Sequence, residues 1–248
     1  MFSPNVARYA ARVVDGYLRP TDYVRVESVP PRWRARVNRR RVYALPTTTR
    51  ASWAGEPGLR HWLRRGCGAN TPGTLVYDPE HWALTPRIEQ RAFPATVAHA
   101  ARLTERTGCH RLGLAAGATL MYGMERRGCT YELQSGSYMD VAWELVEVVD
   151  IQAQLLLSDS CEAEAGIADY ARLVTSVASL ARRRNPGISV VAQVSLRQTP
   201  PERMRTAIAA VSGAVDGVYV AYPSRNTGSD CIYCTREDLR ELLGYLRG

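Results

Sequence analysis

Short β-branched runs alternate with amphipathic stretches along this chain, and that rhythm restricts its fold more than any other feature. Strands joined through helices run parallel, because a crossover of that length returns the chain to the edge of the sheet where it began. The pattern predicts strands at 23–29, 41–45, 74–77, 111–115, 148–155, 188–194 and 217–221, with an eighth near 130–133. Helices are expected at 94–107, 168–184, 201–211 and 236–246, where apolar residues recur at three- and four-residue spacing. Pro94, Pro200 and Pro201 stand near helix starts, where a missing N–H costs nothing. No repeat, low-complexity tract or linker divides the 248 residues. The expectation is an α/β fold: one TIM-like (β/α)8 barrel domain over residues 1–248, incomplete or atypical because seven strands are readable.

In such a fold function collects at the C-terminal strand ends. Read in order these are Pro46-Thr-Thr-Thr49, Asp78-Pro-Glu80-His81, Ala116-Gly117, Gln152-Ala-Gln154, Gln193 with Ser195, and Tyr219 with Tyr222. The second is the most telling, since an apolar strand runs straight into two carboxylates separated by one proline. Side chains two apart in an extended chain point to the same side, so Asp78 and Glu80 can face one pocket. The first can then influence the proton on the second and keep it available for donation. The plainer alternative is a solvated turn, with Pro79 stopping the ladder and Asp78 capping the next helix. Gln152, Gln154 and Gln193 fall within apolar strands, where an amide is costly unless hydrogen-bonded. They would either hold a polyhydroxylated or amide-bearing ligand or bond to one another.

Composition removes several chemistries. The chain contains no lysine, so its formal charge of +8 comes from arginine alone. Lysine Schiff bases, lysine-anchored pyridoxal phosphate and a Walker-type phosphate lysine are all excluded. The arginine bias fits a GC-rich genome, and a basic surface favours anionic partners. Six cysteines (Cys67, Cys109, Cys129, Cys161, Cys231, Cys234) in a chain of this length do not read as a disulfide scaffold, and most are expected as thiols. Cys231-Ile-Tyr-Cys234 has the spacing of half a zinc site, but no second pair or histidine cluster completes it. A local disulfide or two loop thiols are the remaining readings. Neither metal nor cofactor is expected. No 18-residue apolar run and no basic-then-apolar N-terminus is present, so the expectation is a cytoplasmic protein with no membrane partner.

Taken together, the strand ends from Gly73 to Pro223 resemble those of family eighteen glycoside hydrolases, the chitinase-like barrels. In that family a strand ends in Asp-x-Glu, which Asp78-Pro-Glu80 matches. The resemblance implies that Glu80 protonates the glycosidic oxygen while Asp78 orients the substrate's acetamido group as internal nucleophile. Leu114-Ala-Ala-Gly117 resembles the small segment that ends the family's next strand, Gln152-Ala-Gln154 partly matches its Gln-x-Tyr, and Gly217-Val-Tyr-Val220 is similar to its closing strand. The chain departs where the family has aspartates two and five positions before the Asp, here Val76 and Gly73, and where Gln154 replaces the tyrosine. The run Tyr77-Asp-x-Glu80-His-Trp82, followed by Thr85-Pro and Glu89-Gln, is also similar to actinobacterial TIM-barrel proteins, a likeness that names no activity.

The expectation is therefore an enzyme, glycoside-hydrolase-like, with Glu80 and Asp78 catalytic and His81, Trp82, Gln152, Gln154, Gln193, Tyr219 and Tyr222 binding a small-molecule substrate, a sugar or an anionic compound. Carboxylates two residues apart cannot be the opposed pair of an ordinary retaining glycosidase, which lie about 5 Å apart on separate elements. Substrate assistance removes that need, and Glu132 or Glu27 would otherwise supply the second group. His81 is alone among four histidines in lying near the candidate site, and its competing role is to cap or pack against the following helix. Trp82 is either a sugar-stacking platform or a core plug. An acid/base cyclase or lyase on a natural-product intermediate would use the same carboxylates. A third reading is a non-enzymatic binder of nucleic acid or an acidic partner, carried by Pro31-Arg-Trp-Arg-Ala-Arg-Val-Asn-Arg-Arg-Arg41. A solvated connection is the commoner fate of such a charge run, and no nucleic-acid module accompanies it.

Overall fold

The structure is a computed structural model, and it describes residues 24–26, 42–44, 60, 63–64, 74–80, 85–108, 111–121, 124–127, 130–133, 137–158, 162–221 and 231–247. Seven strands form one sheet: β1 (Val24–Val26), β2 (Val42–Ala44), β3 (Thr74–Tyr77), β4 (Arg111–Leu114), β7 (Val146–Ile151), β8 (Ser189–Ser195) and β9 (Gly217–Ala221). All neighbours are parallel, and the strands lie side by side in the order in which the chain makes them. The sheet therefore grows in one direction without a reversal. Among the described residues β1 and β9 are its two edges and do not pair with each other, so a parallel α/β sheet is shown and a closed eight-stranded barrel is not.

The expected eighth strand exists at β6 (Thr130–Leu133), but it pairs antiparallel with β5 (Met124–Arg127) as a separate ribbon. Two residues separate β5 from β6, and so short a connection permits only an antiparallel partner. Glu132 thus stands in this ribbon and not in the parallel sheet.

Helices α1 (Arg87–Arg91) and α2 (Phe93–Glu105) link β3 to β4, and α3 (Ala118–Met121) follows β4. Helix α4 (Ala163–Arg184) precedes β8, α5 (Pro201–Val211) precedes β9, and α6 (Arg236–Arg247) follows it. The buried stripe of α4, including Tyr170, Leu173, Val174, Val177, Ala178 and Ala181, repeats at three- and four-residue steps and turns one face to the sheet. Three arginines in its last turn complement the helix dipole. One of them, Arg182, donates to Ala214 O and to Asp216, whose other oxygen accepts the Val190 N–H. Helix α4 begins five residues earlier than its apolar pattern suggests. At α6, Thr235 and Asp238 exchange hydrogen bonds between each one's side chain and the other's N–H, a capping box.

The two faces of the sheet are chemically distinct. Leu75, Tyr77, Leu112, Leu114, Val149, Ile151, Val190, Ala192, Val194 and Val220 pack with α2, α4, α5 and α6 in one large core. Their alternates Val76, Ala115, Val148, Val191 and Tyr219 form a second, smaller apolar cluster on the other face. Gly113 belongs to this inner face, where a Cβ would lie 3.0 Å from both Val148 Cγ1 and Val76 Cγ2. Among the described residues no helix is long and apolar enough to cross a membrane.

Gly166 in α4 lies against the carbonyl oxygen of Leu156, leaving no room for a Cβ. Helix propensity alone favours Gly166→Ala by about 1 kcal/mol. The backbone clash should reverse that sign, with a net loss of about 1–3 kcal/mol in chemical denaturation. A stabilised Gly166→Ala variant would show that α4 docks elsewhere.

Candidate functional site

The site grows from the inner face at the C-terminal end of the sheet. Thr74 and Val76 of β3 share that face, and Asp78 is the next residue of the same parity. Pairing between β3 and β4 does not stop at the strand ends: Ala115 N–H donates to Tyr77 O at 2.9 Å, and Gly117 N–H donates to Pro79 O at 2.8 Å. Pro79 cannot donate, yet its carbonyl still accepts, so the ladder carries on past it. The continued ladder keeps Glu80 on the same side as Asp78. A Cβ on Gly117 would fall 2.9 Å from Glu80 Cγ, so glycine is needed for the Glu80 side chain to lie across the end of β4. The Glu80 N–H is held by Thr85 Oγ1 at 3.0 Å. Asp78 is buried at 4% exposure and Glu80 is half-buried.

On the next strand a β-bulge decides which residues join them. Leu112 pairs with Val146 and Gly113 with Val148, leaving Glu147 without a register mate. The extra residue resets the alternation. Val146 faces the helices, whereas Val148 faces the inner cluster, and Asp150 and Gln152 follow Val148 inward. Gln152 then bridges two strand ends, its Nε2 donating to Asp78 Oδ1 at 2.8 Å and to Ala115 O at 2.5 Å. Both amide protons are thereby used, and the Asp78 carboxylate is oriented from across β4.

Further along, Gln193 pairs in register with Tyr219. Tyr219 is buried in the inner apolar cluster and forms its floor at that edge. Among the described residues the side-chain oxygens of Gln193 and Gln154 are buried without a hydrogen-bond partner. Tyr170 reaches from α4 to donate its phenol proton to the main-chain oxygen of Gln193 at 3.1 Å. Burial pushes the Tyr170 phenol up from its usual value of 10.0, and the negative charge of Asp150 pushes it in the same direction. It is therefore a neutral donor across the physiological range.

The structure thus brings Asp78, Glu80, Gln152, Gln193 and Tyr219 to one face and one end of the sheet. One expectation changes. Strand β7 ends at Ile151, so Gln152 and Gln154 do not lie within it. A tight turn closes at once, with Ala153 N–H donating to Ile151 O, and Gln154 opens a 3-10 turn that runs to Leu157. His81, Trp82, Tyr222, Glu27 and the 31–41 arginine segment lie outside the described residues. Asp150, buried at 2% exposure on the same inner face, is a charged residue that the sequence pattern did not single out. Its signal was available, because it is a lone charge in the apolar run Val148–Val149–Asp150–Ile151.

Cys231 and Cys234 form a disulfide with Cα atoms 5.6 Å apart. Its loop docks on the exit of β8, where Ile232 N–H donates to Arg197 O. The other four cysteines lie outside the described residues. Among the described residues no group of three or more His, Cys, Asp or Glu gathers as metal ligands. A cleft of about 240 Å³ opens at the other end of the sheet, beside Glu105, Arg111, Glu144 and Glu147. These four are exposed, and the N-terminal end of a parallel sheet commonly serves stability.

Replacing Gln152 with Leu strands Ala115 O and removes a donor from Asp78, so Gln152→Leu should cost about 2–4 kcal/mol in denaturant titration. A Tyr170→Phe variant tests the phenol. Because the folded-state value is raised, the phenol's contribution is present below pH 10.0 and lost as pH rises above it. Wild type should therefore lose stability above pH 10 more steeply than Tyr170→Phe, and parallel curves would contradict the burial of this hydroxyl. No protein-family model and no curated protein matches the chain.

Proposed function

We propose that this chain is a (β/α)-barrel enzyme resembling glycoside hydrolases, in which Glu80 donates a proton to the leaving oxygen of a small polar substrate. The observation that carries this reading is the common side of Asp78 and Glu80, with Gln152 fastening Asp78 from across β4. Two carboxylates sharing one enclosure favour a state in which a single proton is kept between them. The oriented Asp78 then acts as the charged partner, and Glu80, lying over Gly117 at the rim, is the proton donor. His81, Trp82, Gln154, Gln193, Tyr219 and Tyr222 complete the proposal as substrate contacts. Closure of the sheet into a barrel belongs to the same proposal. It is supported by the sequential parallel order and by an apolar inner face opposite the helices.

The chemistry asked of these groups is modest. General acid catalysis by a positioned carboxyl group contributes roughly a hundredfold to ten-thousandfold in rate. A panel of p-nitrophenyl glycosides, including acetamido sugars, tests the activity with wild type and Glu80→Gln side by side. Glu80→Gln should lower kcat at least about a hundredfold while leaving the melting temperature within a few degrees. Full activity in Glu80→Gln sinks the proton-donor role. Turnover of carbonyl or alkene substrates without glycoside cleavage would instead identify an acid/base lyase or cyclase.

A further inference from the structure

We propose that Cys231 and Cys234 form a reversible thiol–disulfide exchange site, at which a low-molecular-weight thiol attacks Cys231. The site is independent of the acid chemistry assigned to Glu80. The bridge joins residues three apart in sequence, and so short a ring takes less entropy from the unfolded chain than a long loop would. Its surroundings are fixed by other means as well. On one side Ile232 N–H donates to Arg197 O at 3.1 Å, and on the other Thr235 and Asp238 cap the start of α6. What a structural staple would hold is held by hydrogen bonds already.

The pair is accessible, and its two sulfurs differ. Ile232, between the cysteines, is 60% exposed, and both cysteines are half-buried. Tyr233 and Cys234 pack against the large core, whereas among the described residues Cys231 is not part of that packing. Cys231 is therefore the sulfur an incoming thiolate meets, and Cys234 is the inner, departing one. A single acceptor serves both, because Cys231 Sγ lies 3.6 Å and Cys234 Sγ 3.7 Å from Leu196 O. A carbonyl oxygen has two lone pairs, so in the dithiol each S–H has an acceptor already in place. This common seat carries the proposal: it suits both oxidation states, which exchange requires and a permanent bridge does not.

The step balances. A thiolate RS⁻ bonds to Cys231 Sγ as the bond between the two cysteine sulfurs breaks, and Cys234 leaves as a thiolate. A second RS⁻ then attacks the R-bearing sulfur of the mixed disulfide and releases the Cys231 thiolate. Two RSH are oxidised to RSSR, and their protons end on the two cysteines. The reverse sequence restores the bridge.

Glutathione serves as the probe on the whole chain. Protein oxidised with glutathione disulfide is treated with reduced glutathione under native conditions, quenched with an alkylating agent at intervals, and mapped by peptide mass spectrometry. The Cys231–Cys234 linkage should open within minutes, with glutathione found on Cys231 as the intermediate. Returned to glutathione disulfide, the dithiol should re-form the same linkage. A bridge that opens only after denaturation, or a dithiol that does not close again, overturns the proposal. With glutathione disulfide, Cys234→Ser should trap the mixed disulfide on Cys231 about tenfold faster, or more, than Cys231→Ser traps it on Cys234. Equal or reversed rates overturn the assignment of Cys231 as the attacked sulfur. The wild-type arms need no substitution, so they decide the matter even if a variant misfolds. No reading uses glycoside turnover, and the result stands whatever becomes of Glu80.

Discussion

The period-two pleat of a parallel sheet, whose described helices pack on one face, is the constraint on which the rest of this molecule depends. Every strand residue must choose between the helix-packed core and the opposite face. Leu75, Leu112, Leu114, Val149, Ile151, Val190, Val194 and Val220 take the first choice from β3 to β9, and the large core follows. What is left over, strand by strand, is a mixed inner face of Thr74, Val76, Gly113, Ala115, Val148, Asp150, Val191 and Tyr219. Polar groups accumulate on that face toward the C-terminal end, where strand-to-helix connections leave the sheet. Candidate chemistry is there because the described helices pack on the opposite face.

Within that face, small residues determine reach. Gly113 admits Val76 and Val148 from both sides, Ala115 separates Asp78 from Asp150, and Gly117 lets Glu80 lie over the end of β4. Three successive inward positions of one strand are thus Gly, Ala and Gly. With large side chains there, β4 would fill the space that the neighbouring carboxylates and Gln152 use. Gln152 benefits most, since its amide crosses to Ala115 O and Asp78 Oδ1 in a single span. A buried carboxylate is costly without such donors.

The candidate site was legible in the sequence to different degrees. Asp78 and Glu80 were visible because an apolar strand led into them, and the structure keeps both on one side by extending the ladder through Pro79 O. Gln193 was visible as an amide in an apolar strand. Asp150 was overlooked because attention to the glutamines treated 148–155 as one strand, whereas the strand ends at Ile151. The β6 segment was read correctly as extended, but its partner β5 was not seen, and a β-branched run carries no label for the sheet it will join.

Sequence alone determined the parallel α/β rhythm, the positions of the principal helices and the absence of lysine chemistry, because periodicity and composition are local properties. It also determined that a proline would separate two carboxylates at a strand end. Only the tertiary structure decided which side of the sheet Asp150 and Gln152 face. That outcome depends on one unpaired residue, Glu147, in the register of β7 against β4. A one-residue slip exchanges every inward side chain for an outward one, and a bulge that resets the alternation becomes visible only when the strand is paired with its partner.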